Sequence, residues 1–291
     1  MSKKYAIVTS SDAKYGDFLI NHWLKSLLLN IDRKAMDIIV LDYGLTDDQK
    51  KKITPYCKII RCKKDGHVVN IRFRDMLQFF KGNKYAQIMS IDGGDIIFQS
   101  DIMPVFKEHP SEFRIVSEGL DLSTHETALL SKPFTEKMTS DILKMTHQKK
   151  GLNAGVIIAP YSKFITLCKF LVKHIKRPAI FGPDQVLVNY FLYKHGFKEI
   201  DKKYNFIIAT ATNKFKIKKG VFLDENNKPI AIIHNAGGAD HKRPVRNFGH
   251  GPRHNKIKWA TYCCLRVYYG LSFIIAPTLR FFLKRKRSVH K

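Results

Sequence analysis

The chain has 291 residues, 44% of them hydrophobic and 26% charged, which excludes a disordered protein and allows one large α/β domain with a sizeable core. Its 51 Lys+Arg against 25 Asp+Glu give a formal net charge of +26, favouring polyanionic partners: nucleic acid, anionic lipid headgroups or phosphorylated sugars. The five cysteines (Cys57, Cys62, Cys168, Cys263, Cys264) are odd in number and lack zinc-type spacing with histidines, which points to free thiols in a reducing compartment.

Met1–Lys4 leads directly into Tyr5–Thr9, a buried-strand pattern, so no signal peptide is expected and folding is expected in the cytosol. Asp17–Asn30 is amphipathic, with Phe18, Leu19, Trp23, Leu24, Leu27 and Leu28 on one face. Asp37–Leu41 reads as a second strand, and Thr46 with Gln49 as a capping-box helix start. Lys58–Arg61 reads as a third strand, Arg72–Phe80 as a helix, and Ala86–Ile91 as the strand that delivers Asp92. This alternation predicts a mixed, mostly parallel sheet flanked by helices. Further strands are expected at Phe113–Ser117 and Gly155–Ala159, helices at Tyr161–His174 and Asp184–Lys194. Val221–Leu223 and Ile230–His234 flank turn residues and read as a hairpin-like pair.

The most informative segment is Ile88–Phe98, IMSIDGGDIIF. Asp92 and Asp95 stand between two apolar runs, where a strand end exposes oxygen ligands to a hard cation and a phosphate. An ordinary Asp-Gly turn is the alternative. Three later motifs bear on the choice. In Leu152-Asn-Ala-Gly-Val-Ile-Ile158 a small-residue turn feeds a buried strand, with Asn153 free to meet a sugar hydroxyl. Gly182-Pro-Asp-Gln185 opens a helix that carries Asp184 and Gln185. Ile232-Ile-His-Asn-Ala-Gly-Gly238 ends a strand on His234, followed by Asp240, His241, Lys242 and Arg243, a pattern suited to a metal ligand beside a diphosphate.

In this order the motifs resemble those of nucleotide-diphospho-sugar transferases with the Rossmann-like GT-A fold, and most closely glycosyltransferase family 8, over about Tyr5 to Arg243. The matching segments are Ser11-Asp-Ala-Lys-Tyr15, Arg72 or Arg74, Asp95-Ile-Ile-Phe98, Asn153-Ala-Gly-Val156, Asp184-Gln-Val-Leu-Val-Asn189, Tyr204-Asn205, His234-Asn-Ala-Gly237 and Lys242-Arg-Pro244. Departures are visible too. Asp-Gly-Gly-Asp is one residue longer than the family's Asp-X-Asp, and Val186 stands where a third acidic residue belongs. The resemblance implies a metal-dependent hexosyltransferase that retains anomeric configuration. Asp92, Asp95 and His234 would ligate Mn²⁺ or Mg²⁺. Lys242, with Arg72 or Arg74, would brace the diphosphate of a nucleotide-diphosphate sugar, a UDP-sugar being the expected donor. Asp12 and Tyr15 would meet base or ribose, and Asn153, Asp184 and Gln185 the donor sugar, with Gln185 nearest the anomeric carbon.

Residues 1–255 are expected to form the catalytic domain and 256–291 a basic, aromatic C-terminal tail. Trp259–Leu283 is interrupted by Arg266, Pro277 and Arg280 and closes on Lys284-Arg-Lys-Arg287, against a spanning helix of about 20 apolar residues. A membrane-associating helix on an anionic surface fits better, which places the protein peripherally on the inner, cytoplasmic face with a lipopolysaccharide-type acceptor. A docked helix covering the core is the alternative. Two other functions compete: an inactive transferase-like protein, and a basic binder of nucleic acid or anionic surfaces. The basic residues form no recognition helix and no RNA-binding signature, so specific nucleic-acid binding is not expected.

Overall fold

The computed structural model describes residues 3–121, 127–237 and 239–271. Buried apolar runs make the strands of its main sheet: β1 (Tyr5–Ser11), β2 (Met36–Asp42), β3 (Lys58–Arg61), β4 (Gln87–Ile91), β6 (Arg114–Asp121), β7 (Lys150–Pro160) and β8 (Lys198–Glu199). A short β5 (Ile96–Phe98) lies outside it. The order of the seven strands is β3-β2-β1-β4-β7-β6-β8. The first four are parallel, and β7 runs antiparallel to both β4 and β6. The sheet is therefore mixed and mostly parallel, as the alternation of apolar runs and helices predicts.

Alternation along the strands splits the core into two layers. Ala6, Val8, Ile39, Leu41, Ile88 and Ile157 face one side. There they meet the helices α4 (Val68–Gly82), α6 (Tyr161–His174) and α7 (Pro183–His195), the last two following α5 (Glu136–Met145). Ile7, Ile38, Val40, Met89, Ile91 and Val156 face the other, against Leu19, Trp23 and Leu27. Those three ride on a helical run over 13–28: α1 (Ala13–Phe18), a π-helical turn (Leu19–Leu24) and α2 (Lys25–Leu28). The run starts before the expected Asp17, because the Asp12 side chain caps it by accepting from the Tyr15 N–H. Thr46 and Gln49 form the expected reciprocal capping box at the start of α3 (Asp47–Ile53).

A second, smaller sheet has the order β5-β12-β9, built from β5, β9 (Phe206–Ile207) and β12 (Ile232–His234). This corrects the expected hairpin. Val221–Leu223 is β11 and pairs with β10 (Lys216–Lys218), while β12 pairs antiparallel with β5 and parallel with β9. The turn itself is real, since Leu223 bridges Pro229, but the apolar Ile232 and Ile233 find deeper burial beside β5. A second correction concerns Asn153-Ala-Gly155. These residues lie inside β7 and do not form a turn before it. The β6–β7 register shifts there, with Ile115 opposite Ile157 but Ser117 opposite Leu152, so β7 bulges where Asn153 and Gly155 sit.

Past the small hairpin β13 (Val245–Arg246) and β14 (Lys256–Ile257), α8 (Trp259–Gly270) lies on the small sheet through Tyr262. Its outer face leaves Trp259, Val267 and Tyr268 exposed. No helix among the described residues is long and apolar enough to cross a membrane. The basic end of the tail, Lys284–Arg287, lies outside the described residues.

Candidate active site

The site forms where the two sheets meet. β4 ends at Ile91 and β5 begins at Ile96, so Asp92 and Asp95 bracket the step from one sheet to the other. The two glycines between them exist for lack of room. A Cβ at residue 93 would sit 2.6 Å from Thr9 Oγ1 and 2.8 Å from the Ser10 carbonyl oxygen, and one at residue 94 would sit 2.9 Å from the Tyr15 ring. The extra glycine thus lets the acidic loop pass against β1. Trp23 Nε1 donates to the Asp92 carbonyl at 3.0 Å, and the Asp92 N–H donates to the Gly155 carbonyl at 2.9 Å, which fixes the loop from a helix on one face and from the neighbouring strand β7.

His234 comes from the end of β12, whose ladder places it opposite Ile96. Its Nε2 lies 3.5 Å from Asp95 Oδ1 and 3.9 Å from Asp92 Oδ2. One ligand atom from each of the three residues falls within 4.8 Å of the others. The space between them is kept by Gly155: a Cβ there would meet His234 Cε1 at 2.5 Å and Asp92 Oδ2 at 3.0 Å. Two carboxylates and one imidazole around such a gap fit Mn²⁺ or Mg²⁺, the imidazole tilting the preference to Mn²⁺.

Cations from the chain surround the same carboxylates. Arg72, fully buried on α4, pairs with Asp92 through Nη1 and lies 3.6 Å from Asp184 through Nη2. Arg243 Nη2 holds Asp95 Oδ2 at 3.0 Å, and its guanidinium lies over the Tyr15 ring at 5.8 Å. Burial pushes the Asp95 carboxyl up, but His234, then Arg243 and Arg72, outweigh it and hold the group below its usual value. Burial likewise opposes a charged His234, but Asp95 and then Asp92 outweigh it and raise the imidazole. For Asp184 burial wins over Arg72, and its carboxyl is pushed up to about 6.

The structure brings together Asp92, Asp95, His234, Arg72, Asp184, Tyr15 and Asn153. Lys242 is exposed on the 3₁₀ turn Asp240–Lys242 just after them. Asp12 caps α1 and pairs with Lys64 at 2.8 Å. Arg74 points elsewhere, bound to Asp65, Asp75 and the Lys63 carbonyl. Gln185 accepts from Ala154 N–H at 2.9 Å and donates to the Leu152 carbonyl, so its amide lies along β7. Asn153 is spent on protein partners: its Oδ1 accepts from Gly155 N–H and Asn205 Nδ2, and its Nδ2 donates to Glu118. Sequence reasoning gave no individual role to Arg243, Asn205 or Glu118. Arg243 adjoins Lys242 in a basic run, Asn205 belongs to the Tyr204-Asn205 pair, and Glu118 follows the apolar run at Phe113–Ser117, so each carried a weak signal.

No protein-family model matches the chain, and no curated protein is significantly similar to it. Solved structures are similar. An active-site mutant of LgtC shares 16% identity across 89% of this chain and 94% of its own, with a TM-score of 0.54. The galactosyltransferase LgtC in complex with donor and acceptor sugar analogues shares 15% across 91% and 96%, with a TM-score of 0.51. GlyE of Streptococcus pneumoniae TIGR4 shares 16%, with 97% of this chain spanning 64% of that one, at a TM-score of 0.51. The fold is GT-A. In a GT-A frame the carboxylates at the end of β4 stand at the carboxyl edge of the parallel strands, where ligands of such sheets gather.

Proposed function

We propose that the chain is a metal-dependent hexosyltransferase, moving a hexose from a nucleotide-diphosphate sugar to a hydroxyl of a glycan or glycolipid acceptor. The observation that carries this reading is the convergence of Asp92, Asp95 and His234 at the joint of the two sheets in a GT-A fold. The sugar analogues bound by LgtC support the same substrate class. A divalent cation at the triad would supply charge neutralisation for the departing diphosphate. Lys242, one residue from Arg243, would extend that positive field to the phosphates. Tyr15 and Asp12 would meet the base or ribose from the start of α1. Asp184 and Gln185, beside Arg72 and β7, would face the donor sugar, and retention of configuration belongs to the same reading.

The test is donor turnover with a UDP-hexose panel, with and without Mn²⁺. Asp95→Asn is expected to lower Mn²⁺-dependent turnover by at least a hundredfold, since it removes a ligand and the Arg243 partner together. Full activity of that variant would sink the assignment. Product anomers read by NMR decide retention.

The exposed aromatics of α8 and the net charge of +26 favour a further part of the proposal. Residues 256–291 would hold the enzyme on the cytoplasmic face of an anionic membrane, beside a lipid-linked acceptor of lipopolysaccharide type.

A further inference from the structure

Four buried side chains from four segments form a hydrogen-bond chain with only one possible direction. It begins at Glu118 on β6, 7% exposed, and ends at His234, 3% exposed. The Asn153 amide turns its Nδ2 toward Glu118 Oε1, at 2.5 Å. The Gly155 backbone N–H, which can only donate, lies 2.9 Å from Asn153 Oδ1. A backbone N–H therefore fixes the Asn153 orientation, with Oδ1 toward Gly155 and Nδ2 toward Glu118. Asn205 Nδ2 donates to the same Oδ1 at 3.0 Å, which leaves Asn205 Oδ1 facing His234 Nδ1, also at 3.0 Å. An amide oxygen only accepts, so Nδ1 must carry a proton. The lone pair of a neutral ring then falls on Nε2, the nitrogen that faces Asp92 and Asp95.

We propose that Glu118 is a positioning residue: through Asn153 and Asn205 it holds His234 in the Nδ1–H form, with Nε2 presented to a divalent cation. The inference rests on the metal reading above, but its first test does not. Partners that orient an imidazole in this way commonly change metal affinity by about 10–100-fold when removed.

Long-range ¹H–¹⁵N spectra of the full chain without metal, at a pH where the His234 ring is neutral, read the tautomer directly. His234→Ala supplies the assignment. The expected pattern is a protonated Nδ1 and an unprotonated Nε2; the opposite pattern overturns the proposal. Mn²⁺ affinity read by electron paramagnetic resonance provides the second arm. Glu118→Leu removes the acceptor and is expected to weaken binding about 10–100-fold. Glu118→Gln keeps an acceptor oxygen and is expected to stay within about threefold of wild type. Equal losses in the two variants would show that the charge and not the acceptor matters, and the proposal would fall. Unchanged affinity in a folded Glu118→Leu protein would overturn it as well. If Glu118→Leu does not fold, the wild-type spectrum alone decides. A wild-type protein with the expected tautomer but no Mn²⁺ affinity would refute the metal reading while upholding the role of Glu118.

Discussion

At the scale of single residues, the site is a set of charges that must be balanced inside the protein. Arg72 shares itself between Asp92 and Asp184, and for Asp184 that share is insufficient, since burial pushes its carboxyl up to about 6 from 3.8. The folded state therefore holds a proton that the unfolded chain has already released. The stability contribution of Asp184 is highest below pH 4, falls as pH rises to about 6, and is constant above. Urea unfolding of wild type and Asp184→Asn at pH 4, 5, 6 and 7 checks this. Wild type is expected to lose stability relative to the variant between pH 4 and 6, and a constant difference would contradict the burial argument. The residues legible in the sequence were those at breaks in an apolar pattern. Asp92, Asp95 and His234 each end or begin a buried run, so they announce themselves. Glu118 also follows an apolar run, but no later motif echoes it, and Arg243 is one cation among several. Their roles depend on which strands become neighbours, and that is decided by tertiary pairing.

At the scale of elements, the strands that follow simple rules were readable and the irregular one was not. β1, β2 and β4 are built on short apolar runs buried on both faces, as parallel strands require. β7 is the exception. Its sequence looks like a turn at Asn153-Ala-Gly155, yet the chain continues as a bulged strand because α7 supplies side-chain partners for its backbone. Asn189 Oδ1 accepts from Leu152 N–H at 2.7 Å, and its Nδ2 donates to the Leu152 carbonyl at 2.9 Å. Gln185 adds the bond to Ala154 N–H one turn earlier. This stitch replaces the ladder bonds that the bulge interrupts. Asn189→Ala leaves a buried N–H without an acceptor and is expected to cost about 1–3 kcal/mol in urea unfolding. A cost near zero would show that the bulge is held by packing alone. The β5-β12-β9 sheet was also hidden, because strands of two or three residues carry too little alternation to reveal their partners.

At the scale of the whole molecule, the basic charge and α8 belong to one surface question. The helix contributes Tyr262 to the core of the small sheet and bonds the Ala211 carbonyl through Arg266, so its inner side is engaged. Trp259, at 69% exposed, marks the outer side. Sedimentation of the full chain with vesicles tests whether this side meets lipid. Binding is expected to vesicles with anionic headgroups and not to neutral ones, and to weaken in Trp259→Ala and at high salt. Equal binding to neutral vesicles, or binding indifferent to Trp259, would argue for a docked helix with no membrane role. Nucleic-acid affinity is checked by the same salt series with RNA.

The site also stands at the joint of the two sheets, which already share a core through Ile91, Trp23, Phe98 and Ile232. Asp92 is an extension of the large sheet, whereas Asp95 immediately precedes β5 and His234 ends β12, the two strands paired in the small one. An ion gripped by all three would act as a rivet between the two sheets. Amide exchange along β5 and β12 should then slow when Mn²⁺ is added, with little change along β1 and β2. Uniform slowing, or none, would show that the joint is already rigid. Where the rivet tightens, the two sheets would move as one body only once the ion is seated, so the cleft between them would take its working shape from its own cargo.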